Sequence, residues 1–256
     1  MKGEPTAVTG LPDAAERDFL ASYDASRFAR PSLAVDVVVL PVTERKLAAL
    51  LVRRTEHPAL GRFATPGGFV GLDESLDDAA ARVLATKAGL RGIFLEQLYT
   101  FGAVDRDPST RVVSVAYYAL IDADRLRPSV ARDGDAVLAT LGVPWPGEAG
   151  GPIAALDTEN RHLGLAFDHA EILGTAVKRI RGKLDYAPIG FQLLPERFTL
   201  RQLQSVHETV RGHTLNKDSF RRRMLASGQL EATGIQEGLV GHRPAELYRF
   251  AQRSAI

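Results

Sequence analysis

The sequence predicts an α+β fold in two parts: a sandwich of strands and helices, then a smaller helix-rich unit that ends in a hairpin. Three observations carry this prediction. β-Branched runs at residues 33–40, 47–53 and 111–121 surround a glycine-marked turn that opens into one amphipathic helix. A stretch rich in proline and glycine then breaks the periodicity, and beyond it helix-start signals recur at short spacing. The charge also changes sign there: from Arg161 onward 15 lysines and arginines stand against 9 acids, while 17 stand against 22 before it. An acidic front and a basic back suggest separate tasks, with a polyanion as a candidate partner of the second; chance variation between two solvated surfaces is the plain alternative.

A chain of 256 residues suits two domains. The expected division is an N-terminal arm at residues 1–31, a first domain at 32–160 and a second at 161–256. The absence of cysteine excludes disulfides, thiolate catalysis and zinc–cysteine sites. No apolar run approaches the length of a membrane span, and the first thirty residues carry no secretory pattern, so a cytoplasmic protein without a membrane partner is expected.

Residues 1–31 read as an arm with a short helix around Ala14–Tyr23. Leu33–Leu40 and Leu47–Arg53 read as strands, with Thr43–Arg45 joining them as a hairpin. Pro66-Gly67-Gly68 marks a sharp turn where backbone can approach a ligand closely. The next helix carries a buried stripe of Leu76, Ala80, Val83 and Leu84, with Asp73 or Glu74 serving its first turn and Gly89 its C-cap. Leu95–Phe101 and Arg111–Ile121 are strand-like, and a loop carrying Arg106 lies between them. Residues 122–160 read as an excursion or linker around the lone Trp145.

In the back half, Asp168 followed by Glu171 reads as a capped start of a helix running to about Lys183. Catalytic pairing of Asp168 with His169 is the alternative. Thr199 and Gln202 form a capping box that opens an apolar face of Leu200, Leu203, Val206 and Val210. A second helix starts near Asn216 or Asp218, turns Phe220, Met224 and Leu225 inward, and leaves Lys217, Arg221 and Arg222 on its polar side. Leu230–Ile235 and Leu247–Phe250 read as a hairpin with His242 and Arg243 at its tip. Two short helices and a hairpin fit a winged helix-turn-helix, whose second helix enters the major groove. The expected DNA-contacting residues are Asn216, Lys217, Ser219, Arg221, Arg222, His242 and Arg243. A solvated helix face is the plain alternative.

The stretch from Gly68 through Glu74, Arg82, Leu84 and Gly89 to Leu90 resembles the Nudix box. In that family three glutamates follow the arginine at positions i, i+3 and i+4, on the helix face that a divalent cation needs. Here those positions hold Val83, Thr86 and Lys87. The front half alone is also similar to ADP-ribose pyrophosphatases. Together with the tail, from FTLRQLQSVHE through NKDSFRRRML to GHRPAELYRF, the chain resembles the Nudix-related regulators of NAD metabolism of the NrtR type. The resemblance implies a Nudix-like αβα sandwich that senses ADP-ribose or a related nucleotide, a winged helix that binds operator DNA, and a homodimeric repressor with no required cofactor, metal or catalytic residue. Arg54, Arg82 and Arg106 are the expected diphosphate contacts, Phe63 or Phe101 the base-stacking surface, and Gly67 and Gly68 the close backbone. Glu74 is expected to pair with Arg82 and not with a metal. Two alternatives stay open: a Nudix hydrolase of ADP-ribose or another nucleoside diphosphate, and a sugar-responsive regulator of the same architecture.

Overall fold

Strand β1 (Ser32–Leu40) is buried on both faces, which is why it reads as an unbroken apolar run. Val35, Val37 and Val39 point into one cluster, Val38 and Leu40 into another. The same alternation holds in β7 (Val112–Leu120), which pairs parallel with β1 along its whole length, from Ser32↔Val112 to Leu40↔Leu120. Strand β5 (Gly67–Phe69) and β6 (Glu96–Phe101) complete a four-stranded sheet in the order β5-β1-β7-β6. Helix α2 (Leu76–Ala88) covers the first face through Ala79, Ala80, Val83, Leu84 and Ala88. Helix α3 (His169–Lys183) contributes Ile172, Leu173, Ala176, Val177 and Ile180 to the second cluster. Burying one such aliphatic side chain stabilises by roughly 1.5–3 kcal/mol.

The computed structural model describes residues 13–124, 126, 134–184, 193–238 and 244–251. Residues 1–31 and 32–256 form two compact units. In the first, α1 (Ala14–Ser22) is capped by Asp13, and the Phe19, Tyr23 and Phe28 rings contact one another in sequence. Among the described residues no helix is long and apolar enough to cross a membrane.

Four expectations change within the second unit. The tight turn at Glu44-Arg45, both at positive φ, joins β2 (Val42–Thr43) to β3 (Lys46–Arg53), whereas β1 lies in the other sheet. Residues 122–160 are not merely a linker. They hold β8 (Ala136–Gly142), which pairs with β3, and β9 (Ala154–Leu156), which joins β8 to β10 (His162–Leu163). Alanine and glycine dilute the β-branched signal there. Helix α2 starts on Ser75, whose hydroxyl accepts from the Asp78 N–H, and not on Asp73 or Glu74. Its C-cap Gly89 adopts the left-handed conformation as expected. Finally, α3 packs on β6 and β1 as well as on the helix that follows, so its burial belongs partly to the front domain.

The remaining elements form the winged helix. Strand β11 (Phe198–Thr199) leads into α4 (Leu200–Arg211), where Thr199 and Gln202 make both halves of the capping box. Gly212 ends α4 at φ 76. The Glu208 carboxylate accepts from the Leu215 N–H and from Gln204, which holds the turn into α5 (Lys217–Ala226). Phe220 and Met224 are buried, but Leu225 is 44 % exposed: one residue beyond Met224 the side chain has rotated about 100° away from the core. Strands β12 (Leu230–Gln236) and β13 (Glu246–Phe250) pair antiparallel, and β13 also pairs with β11. The expected contacts His242 and Arg243 lie outside the described residues.

One apolar cluster runs from Leu40 and Leu51 through Ile172 and Ile180 to Leu203, Val210, Phe220 and Phe250. Sandwich and winged helix therefore share a core. Arg181 reinforces the junction. Its Nε donates to the Val210 carbonyl at 2.8 Å, and Nη1 donates to the Gly147 and Trp145 carbonyls at 2.8 and 3.2 Å. The guanidinium lies 4.9 Å from the Trp145 ring centre, and burial lowers its pKa.

Candidate functional site

A cavity of about 510 Å3 opens where β1, β3, β5 and the start of α3 meet. Its lining includes Asp36, Arg53, Arg54, Gly67, Gly68, Phe69, Lys87, Arg106, Phe167 and His169. Gly67 stands opposite Asp36 in the β1–β5 ladder, and a Cβ there would meet Asp36 Oδ1 at 2.3 Å. Only glycine lets the strand close on the buried carboxylate. The glycine pair lies in strand β5 and not in the sharp turn expected, and the tightest approach of Gly67 is to the protein's own side chain.

The floor is a polar network. Asp36 accepts from the Ser114 hydroxyl at 2.6 Å. Arg106 donates twice to Asp168, at 2.9 and 2.7 Å, and its Nη2 lies 3.6 Å from Asp36. These groups are largely buried, where a fully paired arginine is favourable and an unpaired one costly. Asp168 does not cap α3 with its side chain, contrary to expectation. Its carboxylate is committed to Arg106, 62 residues away, a partnership no local pattern reveals. The next residue, His169, is buried, and its Nδ1 accepts from the Thr65 N–H at 3.2 Å. Nδ1 therefore carries no proton, and the Thr65 hydroxyl donates to it as well, at 2.9 Å. Burial is the largest cause lowering the His169 pKa, which keeps the ring neutral.

Arg54 and Phe167 form the mouth. The Arg54 guanidinium sits 4.8 Å from the Phe167 ring centre while Nε donates to the Pro58 carbonyl. Phe167 is at φ 47, a conformation a bulky residue rarely adopts. Phe69 is 60 % exposed on the cavity rim. These two rings are the available stacking surfaces. Phe63 is instead buried in the core with Arg53 over it, and Phe101 is buried and lines a neighbouring cavity beside Tyr99 and Asp168. Both follow from strand parity: their side chains fall on the inner face. Phe69 and Phe167 escaped the sequence reading because a single aromatic in a turn has no distinguishing pattern.

Of the expected charged contacts, Arg54 and Arg106 line the cavity and Arg82 does not. Arg82 donates to both Glu74 oxygens, at 2.8 and 2.6 Å, and to the Phe69 carbonyl at 2.9 Å. Glu74 also accepts from the Gly71 N–H at 2.6 Å. The hydrogen bond from Arg82 is the main cause holding the Glu74 pKa down, at about 2. The expected pairing is present, and it fastens the turn before α2.

The fold implies a divalent cation against this helix, and the residues do not fit one. Val83 is buried in the core, and the Thr86 hydroxyl donates to the Arg82 and Val83 carbonyls. Lys87, a cation where the family has a carboxylate, lines the cavity. Hard cations need clustered oxygen ligands. Among the described residues no group of three or more His, Cys, Asp or Glu is placed to hold a metal ion.

On the winged helix, Asn216, Lys217, Ser219, Arg221 and Arg222 are all exposed along the first two turns of α5. Asn216 is the N-cap and accepts from the Ser219 N–H at 3.0 Å. Arg221 lies beside the Tyr248 hydroxyl, whose pKa is raised chiefly by burial. Lys217 and Arg222 form no ion pair among the described residues.

Comparisons with known proteins agree with this two-part arrangement. Residues 31–139 match the NUDIX domain model, and residues 190–250 match the NrtR DNA-binding winged helix domain model. The chain is 36 % identical over 238 residues to the ADPR responsive transcriptional repressor NtrR of Acinetobacter baylyi, covering 92 % of this chain and 88 % of that protein. The crystal structure of Shewanella oneidensis NrtR complexed with a 27mer DNA is 34 % identical, with a TM-score of 0.70 over 85 % of this chain and 93 % of the other. The NUDIX domain of the same protein, complexed with ADP ribose, is 33 % identical, with a TM-score of 0.51 over 64 % of this chain and 98 % of the other. The chain belongs to the NrtR family of transcriptional regulators, a Nudix domain joined to a DNA-binding winged helix.

Proposed function

We propose that this chain is an ADP-ribose-responsive, DNA-binding transcriptional repressor whose sandwich is a sensor. The observation that carries this reading is the joining, through one continuous core, of a cavity lined by Arg53, Arg54, Lys87 and the exposed Phe69 to a helix with an exposed basic face. ADP-ribose or a related nucleotide suits the cavity. Its diphosphate matches Arg54 and the glycine-edged strand β5, and its base matches the flat face of Phe69 or Phe167. Arg106 contributes by holding Asp168 and the start of α3 in place. The sensing domain extends from Ser32 to Lys183, since α3 begins with His169 in the cavity lining and packs on β6 and β1, and the reading domain covers residues 193–251. Residues 1–31 are an arm.

On DNA, α5 enters the major groove, with Arg222 and Arg221 toward base edges and Lys217 toward phosphate. Asn216 and Ser219 position the helix start. A cytoplasmic homodimer places two such helices on half-sites about one helical turn apart. The regulated genes are those of NAD metabolism, and no cofactor takes part. Fluorescence anisotropy with DNA from upstream of such genes, with and without ADP-ribose, tests the reading. The expected affinity falls steeply with salt, shifts when ADP-ribose saturates the protein, and drops in Arg222→Ala and Arg221→Ala at unchanged thermal stability. Absent or salt-insensitive DNA binding, or a midpoint indifferent to ADP-ribose, refutes it.

A further inference from the structure

We infer that Lys87 supplies, within the chain itself and beside Arg54, the positive charge that a divalent cation would otherwise bring to the effector's diphosphate, so that effector binding needs no divalent cation. This rests on the sensor reading above. Lys87 lies in the last turn of α2 and lines the same cavity as Arg54 and Arg106. A lysine in that turn also suits the helix dipole, but the dipole does not require it to face a cavity.

The state of the other cations makes Lys87 distinctive. Arg106 is neutralised by Asp168 and Asp36. The Arg53 guanidinium lies over the Phe63 ring, and the Arg54 guanidinium lies over the Phe167 ring with Nε already donating to Pro58. Lys87 is exposed, lines the cavity, and forms no ion pair among the described residues, and an ammonium offers three N–H donors. A diphosphate needs cationic donors able to reach its bridging region. A carboxylate–metal pair can furnish that charge, and so can a single ammonium. Val83 and Thr86 show that the carboxylates are not supplied by the neighbouring positions of α2.

Isothermal titration of the full-length protein with ADP-ribose, in excess EDTA and in millimolar MgCl2, tests this. The parent is expected to bind equally in both. Lys87→Gln in EDTA is expected to bind about 10- to 100-fold more weakly, the loss of one charge-assisted contact. Lys87→Arg retains most of the affinity, and both variants melt as the parent does, since Lys87 is exposed. Binding by the parent that requires Mg2+, or binding by Lys87→Gln in EDTA that equals the parent's, overturns the inference. If the parent binds no ADP-ribose under either condition, the effector reading itself falls, and the assignment of Lys87 with it.

Discussion

Replacing Arg181 by methionine tests the junction between sensor and reader most directly. Methionine keeps an aliphatic stem over Trp145 and removes the donors. Three carbonyls lose their partner: Val210, Trp145 and Gly147. The Val210 carbonyl lies in the last turn of α4, where the helix offers no N–H of its own. A hydrogen bond from an ionised donor is worth about 1.5–3 kcal/mol net. The two 2.8 Å bonds dominate, and the variant no longer has to bury a guanidinium, so the loss comes to about 3 kcal/mol. For a unit of this size, that lowers Tm by roughly 6–12 °C. Differential scanning calorimetry measures it, and anisotropy on operator DNA shows whether ADP-ribose still alters affinity. A Tm within about 2 °C of the parent's would mean that these bonds do not hold the junction, and the reasoning would be wrong.

Two further outcomes follow from the cavity. In Gly67→Ala the new Cβ meets Asp36 Oδ1 and the Val35 carbonyl, so β5 must move from β1; the expected cost is about 1–3 kcal/mol by chemical denaturation, and an unshifted midpoint would count against the close approach. Burial holds His169 below its ordinary value of 6.5, so below that pH the unfolded chain binds more protons than the folded one. Stability is therefore fully present above about pH 6.5 and declines as pH falls toward the folded pKa. Melting curves from pH 7 to 5 should show a decline that His169→Gln reduces; parallel curves for the two proteins would rule it out.

The parts of the fold that the sequence reveals are those whose causes are local. The capping box at Thr199–Gln202, the left-handed Gly89, the inward Phe220 and Met224, and the final hairpin all depend on neighbours within a few residues. Strands β8 and β9 were hidden because a short alanine-rich strand between glycines carries little β-propensity of its own, and pairing with β3 creates it. The site was partly legible. Arg54, Arg106, Gly67 and Gly68 line the cavity, and each stands out locally in the sequence, as an arginine in a loop or as a glycine pair after a proline. Asp168 looked like a cap, since capping and long-range ion pairing use the same residue type, and only the fold brings Arg106 to it. Lys87 stands where the Nudix box has a glutamate, and only the fold places it in the cavity wall.

The shared core has a consequence for how such a regulator can change over time. The apolar cluster passes from the sandwich through α3 into α4 and α5, with the buried Arg181 at its edge. A reading head transplanted onto a foreign sensor would arrive with Leu203, Val206 and Val210 shaped for a neighbour it no longer had. Substitutions within this core are therefore coupled to one another, while changes at the cavity rim or on the exposed face of α5 alter binding without disturbing it. New effectors and new operators are open to this lineage, and exchange of whole cassettes is not.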